Sequence, residues 1–222
     1  MQKQFFLHFM PRCSKIWYRA CFAVLGMLGG FPLGATVACE LYTQGKITKR
    51  QGEYLCAFTN NPSLSFMLSY VGGIFGDRRL GVLLAILCFV CSAFVAIAFK
   101  YLFLNKEERD ILLVGASSSK IELADAIKDG GITMVVICAC VVFFGSISRL
   151  LPMNLRGFLE ISGGMEGCNS PVQAAVLLGF SGFSVMCQVA VVCKRKLSLA
   201  PFIGAKLMQS AVMGICAYFL FD

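Results

Sequence analysis

The chain has 222 residues, 58% of them hydrophobic and 14% charged, with a formal net charge of +8. Soluble domains run nearer half apolar and about a quarter charged, so this much apolar surface has to face lipid or lie between membrane helices. The basic residues sit beside apolar runs, as Lys46, Lys49 and Arg50 do, and again Lys194, Arg195 and Lys196. That placement suits loops at membrane boundaries and argues against a nucleic-acid partner, which needs one basic soluble face.

In chain order, Phe5 to Met10 is too short for the apolar core of a signal peptide. The stretch Ala20 to Cys39 is broken by Gly29-Gly30-Phe31-Pro32-Leu33-Gly34. Proline cannot continue a helical ladder, and glycine admits backbone shapes that other residues avoid. Thr48 to Phe58 opens with a capping-box pattern, Thr48 followed by Gln51, and Gly52 weakens the helix it predicts. Tyr54 to Gly76 is apolar enough to span a membrane but is interrupted by Thr59-Asn60-Asn61-Pro62-Ser63. Leu80 to Phe99 carries no charge and predicts an intact span near 80–104.

Residues 105–119 read as a polar linker. Lys120 to Asp129 places Ile121, Ala124 and Ile127 on one face, which predicts a short helix along the membrane surface. Gly131 to Ser148 is again free of charge and predicts a span near 131–151. A further break is predicted near Gly163-Gly164, and Gly167 to Cys193 is interrupted by Gly179-Phe180-Ser181-Gly182-Phe183-Ser184. Ala200 to Phe221 predicts the last span. It contains Lys206, whose charge at mid-bilayer would cost at least ~2.5–3.5 kcal/mol, so the side chain has to snorkel or face a polar interior. The fold class is therefore all-α: one membrane domain over residues 1–222. It is a polytopic bundle with discontinuous helices in two roughly similar halves, about 16–104 and 131–221.

Irregular backbone at membrane depth has to be buried in protein or line a wet cavity. Half-helix ends then present N–H or C=O groups to ions or polar solutes, and paired breaks in two halves point to a transport site. The candidate binding residues are Gly30, Pro32 and Gly34 at the first break, and Thr59, Asn60, Asn61 and Ser63 at the second. Glu160 beside Gly163-Gly164, with Ser181, Gly182, Ser184 and Gln188, completes the set. Each has a plainer reading. The asparagines can cap a helix in a loop outside the membrane. The glycines can serve close helix packing, and Glu160 can be exposed on a short interfacial helix.

The chain holds twelve cysteines, and pairs such as Cys88/Cys91 and Cys138/Cys140 lie within apolar runs. They read as small buried hydrophobes rather than metal ligands, because zinc wants four N or S ligands and His8 is remote in sequence. A single histidine gives no Ser-His-Asp arrangement, and the glycine-rich run over 26–34 lacks the ending of a phosphate loop. Neither catalysis nor a cofactor is expected.

Four blocks carry a resemblance: Gly30-Phe31-Pro32-Leu33-Gly34-Ala35, Phe58-Thr59-Asn60-Asn61, Gly157-Phe158-Leu159-Glu160-Ile161, and Gly179 to Ser184 with Gln188. In this order they resemble the sporulation integral membrane proteins of the YlbJ type, within the nucleoside-recognition or Gate-domain membrane proteins. The resemblance runs from about Pro11 to Phe221. It implies a multi-pass protein of the mother-cell or outer forespore membrane that moves a small carboxylate, dipicolinic acid, during endospore formation. Its partners would be the lipid bilayer, that solute, and further copies of itself or other sporulation membrane proteins. Three departures accompany it. Members usually carry further membrane helices ahead of the first block, so the chain looks N-terminally short. Members often have lysine where Thr36 stands and histidine where Met186 stands. The reading that competes with transport is a scaffold or partner-dependent subunit of a sporulation complex.

Overall fold

The computed structural model describes residues 29–110 and 123–221, and among these every regular element is a helix. The start of the first apolar stretch and most of the polar linker lie outside the described residues. α1 (Leu33–Thr43) follows the turn at Phe31-Pro32. α2 (Lys49–Thr59) begins on the expected capping box: Thr48 Oγ1 accepts from Gln51 N at 3.2 Å while Gln51 Oε1 accepts from Thr48 N at 2.9 Å. The chain extends at Asn60 and resumes as α3 (64–74), which is π-helical over Phe66–Val71. α4 (Arg78–Phe103) starts where the Asp77 carboxylate accepts from Arg79 N at 2.8 Å. After the short α5 (Lys106–Asp110) come α6 (Leu123–Ser148), α7 (Arg156–Leu159), α8 (Ile161–Met165), α9 (Pro171–Phe180), α10 (Gly182–Cys193) and α11 (Ala200–Phe221).

The three predicted spans appear as α4, α6 and α11, and all three predicted interruptions are present. Among the described residues four segments are long and apolar enough to cross a membrane: Arg78–Phe103, Gly130–Ser148, Pro171–Cys193 and Ala200–Phe221. Val90 and Ile97 on α4 and Val135 and Val142 on α6 stand exposed, as side chains facing lipid do.

Two expectations are corrected. The surface helix placed over 120–129 is not separate in its described part, because α6 runs unbroken from Leu123 through Gly130-Gly131. Glycine weakens a helix by only about 1 kcal/mol, whereas proline, absent here, breaks its ladder. The break placed at Gly163-Gly164 lies instead at Glu160, which is extended (φ −141°, ψ 125°) and caps α8 with its own side chain. A side-chain cap terminated the preceding turn before the glycines were reached.

The breaks fall at one depth. The loops after α1 and α10 meet: Lys196 Nζ donates to Thr43 Oγ1 at 3.1 Å, and Ser198 N donates to Glu53 Oε1 at 2.8 Å. α1 and α10 also pack side by side, with Ala35, Ala38 and Cys39 against Val185, Val189 and Cys193. Both run from their breaks toward the same basic end. At 1.5 Å per residue each is ~17 Å long, so the breaks lie roughly half of a ~30 Å hydrocarbon core away from that end. α2 descends from that end to Asn60 over the same distance.

α9 and α11 pack closely through Gly179. A Cβ there would stand 2.5 Å from Ser210 Cα and 2.7 Å from Ser210 N, both backbone atoms that cannot step aside. Gly179→Ala is accordingly expected to destabilise the purified protein by about 2–3 kcal/mol, the upper range for overpacking. Gly145→Ala, where a Cβ would meet nothing within 4 Å, should leave the thermal midpoint unchanged or slightly higher. Equal midpoints for the two variants would contradict this packing.

Candidate functional site

The two asparagines of the second break do different work. Asn60 is fully buried. Its Oδ1 accepts from Ala35 N at 3.0 Å, and its Nδ2 donates to Cys56 O at 2.8 Å. One side chain thus serves an orphan amide in the first turn of α1 and a carbonyl in the last turn of α2. Pro32, preceding α1, has no side-chain oxygen for that amide, so the cap comes from 25 residues away. Asn60 is a cap, as the plainer reading held, but a cap within the protein interior rather than in a solvated loop.

Asn61, also fully buried, faces the other way. Its Nδ2 donates to Phe58 O (2.9 Å) and Ser92 Oγ (3.0 Å). Its Oδ1 accepts from Lys206 Nζ at 3.1 Å and from Gln209 Nε2 at 3.0 Å, with Cys88 Sγ at 4.0 Å. Lys206 Nζ donates further to Gln209 Oε1 at 2.9 Å, and the rings of Phe31 and Phe202 lie 5.4 and 5.9 Å from it, within cation–π range. Lys206 therefore does not snorkel. It is wholly buried in a polar nest made from the first two breaks, α4 and α11.

The other candidates at the first two breaks close the backbone. Gly30 takes φ +78°, and a Cβ on it would collide with Ser63 at 2.7 Å. Gly34 packs on Thr59, whose Oγ1 donates to Leu55 O at 2.7 Å, and the two line a cavity of about 10 Å³, space for about one water. Ser63 Oγ accepts from Phe66 N at 3.2 Å and so starts α3.

The second half brings its two breaks together. A Cβ on Gly182 (φ +83°) would stand 3.2 Å from Gly157 O and 3.3 Å from Leu159 O, so Ser181-Gly182 abuts the turn at Glu160. Glu160 is buried rather than exposed, and its Oε2 accepts from Gly163 N at 2.8 Å. Ser181 adopts φ 73° and donates to Leu178 O at 3.1 Å, while Gln188 Nε2 donates to Ser184 Oγ at 3.4 Å. Among the described residues no hydrogen bond joins Asn60 or Asn61 to Ser181 or Ser184. Ala35, held by Asn60, packs in one cluster with Phe180 and Val185, which adjoin those serines in sequence.

Lys206, Gln209 and Ser92 join the site without having been among the sequence candidates. The available signal was Lys206 and Gln209 three residues apart within an apolar run, which places both on one helix face.

No protein-family model and no solved structure matches the chain. It is similar to the sporulation integral membrane protein YlbJ of Bacillus subtilis (strain 168), 24% identical in a match that covers 86% of this chain and 61% of that protein. The chain thus spans less than two thirds of that relative's length. Taken with the helical architecture, this similarity supports a YlbJ-type assignment, and the chain is a multi-pass membrane protein.

Proposed function

We propose that the chain moves a small carboxylate, dipicolinic acid, across the membrane during endospore formation. The observation that carries this reading is that half-helix ends and fully buried polar side chains meet at the depth of the helix breaks. α1 and α10 both begin at these breaks, and helix N-terminal ends favour anionic groups. A protein serving only as a scaffold has no need of polar side chains at that depth, where each must find a partner. Access then alternates by movement of the α1–α2 and α10–α11 hairpins, because the described state leaves no room for the solute beside Gly34 and Thr59.

The test is uptake of labelled dipicolinate into proteoliposomes holding the full chain. Uptake above that of protein-free vesicles is expected. Glu160→Gln is expected to lower it at least tenfold with an unchanged thermal midpoint, since the amide oxygen still accepts from Gly163 N while the titratable group for a coupled proton or cation is gone. No uptake by the unmodified chain would leave the scaffold reading in its place.

A further inference from the structure

The geometry points to a carboxylate-binding centre at Lys206, in which Asn61 Oδ1 occupies the seat of a carboxylate oxygen and Phe31 covers the ammonium. This deepens the transport reading and rests on it only for the identity of the solute. Two donors, Lys206 Nζ and Gln209 Nε2, converge on Asn61 Oδ1 at 3.1 and 3.0 Å, with the Cys88 thiol beyond at 4.0 Å. An amide oxygen has two lone pairs and no charge, so it is a weak occupant for a position surrounded by an ammonium and an N–H donor.

Among the described residues, the hydrogen-bond partners of Lys206 are the neutral Asn61 and Gln209. Among the described residues no carboxylate is placed within ion-pair distance of it, and ion pairs such as Lys49 with Glu53 and Arg50 with Glu108 lie toward the basic end. Buried ammonium groups ordinarily have an anion close by, and an ionisable residue inside a span marks a solute or ion path. An arriving carboxylate supplies the missing charge. One oxygen takes the bonds from Lys206 and Gln209, and Asn61 Oδ1 is released.

The way in lies at the first break. Phe31 is half-buried, and its ring centre lies 5.4 Å from Lys206 Nζ. It stands on the turn between Gly30 and Pro32, outside the regular body of α1. A displacement of that turn bares the ammonium without unfolding a helix. The N-terminal end of α1, immediately after Pro32, lies beside the same turn and adds its partial positive charge.

Binding is read by calorimetry on the full chain in lipid nanodiscs, with pyridine-2,6-dicarboxylate, benzoate and the neutral pyridine-2,6-dicarboxamide as probes. The unmodified chain is expected to bind the dicarboxylate and not the dicarboxamide. Lys206→Met should weaken dicarboxylate binding at least tenfold. It should also fold normally, since Asn61 and Gln209 remain bonded to each other. Asn61→Asp should weaken binding as much, because a permanent carboxylate then occupies the seat. Unchanged dicarboxylate affinity in folded Lys206→Met, or no binding of either carboxylate by the unmodified chain, overturns the proposal. Parallel uptake measurements separate the two readings. Undiminished uptake with Lys206→Met removes the site and leaves transport standing, whereas Lys206-dependent binding without uptake removes transport and leaves the site.

Discussion

Replacing Asn61 by leucine is expected to destabilise the protein by about 3–5 kcal/mol, the range for a buried charge that loses a partner. The loss has three parts. Lys206 keeps the Gln209 oxygen and two aromatic faces, Gln209 Nε2 keeps long contacts to Cys88 O at 3.4 Å and Cys88 Sγ at 3.6 Å, and Phe58 O keeps the Ser92 hydroxyl. Leucine also brings an apolar group against the ammonium. The check is reversible unfolding in mixed micelles with a double-mutant cycle. Lys206→Met alone should be near neutral, because it removes the charge and leaves the amide pair intact. The double variant should recover most of the stability lost in Asn61→Leu, giving a coupling of at least ~2 kcal/mol, within the range measured for residues in one network. Additive losses would show that Asn61 does not hold Lys206.

Asn60→Leu is expected to cost about 2–6 kcal/mol for a different reason. It orphans one buried donor, Ala35 N, and one buried acceptor, Cys56 O, and each unsatisfied group costs about 1–3 kcal/mol. The damage is local to the α1–α2 hairpin, so hydrogen exchange offers a sharper readout than the global midpoint. Peptides covering 33–37 should lose protection, while those from α9 and α11, which pack on each other through Gly179 and Ser210, should keep theirs. Unchanged protection at 33–37 would mean that α1 holds its first turn without Asn60. The two neighbouring asparagines thus separate experimentally. Asn60 responds as backbone support and Asn61 as support of a charge, and only Asn61 is rescued by removing Lys206.

Much of the architecture was legible in the residues themselves. The charge-free runs from Leu80 and from Gly131 became α4 and α6, because a span is specified by length and apolarity within one segment. The breaks at Gly30–Pro32, Asn60–Ser63 and Ser181 were legible for the same reason: proline, glycine and asparagine act on the backbone where they stand. Even the capping box at Thr48 and Gln51 could be read three residues apart. The break at Glu160 was misplaced by local reasoning, because it is made by a side chain that caps α8 rather than by the glycines after it.

What the sequence by itself determined is therefore local: a membrane-spanning, all-helical chain, with its spans and interruptions in order, and the statement that Lys206 has to find a polar surrounding. Only the tertiary structure decided which groups provide that surrounding. Asn61 lies 145 positions from Lys206 and Asn60 lies 25 from the amide it caps. The physical reason is that a buried polar group is stabilised by whichever partner arrives within about 3 Å, and arrival depends on how helices pack rather than on neighbours in sequence. Composition required that the ammonium be satisfied. The packing of α2, α4 and α11 satisfied it with neutral oxygens, and so left its charge available to an anion.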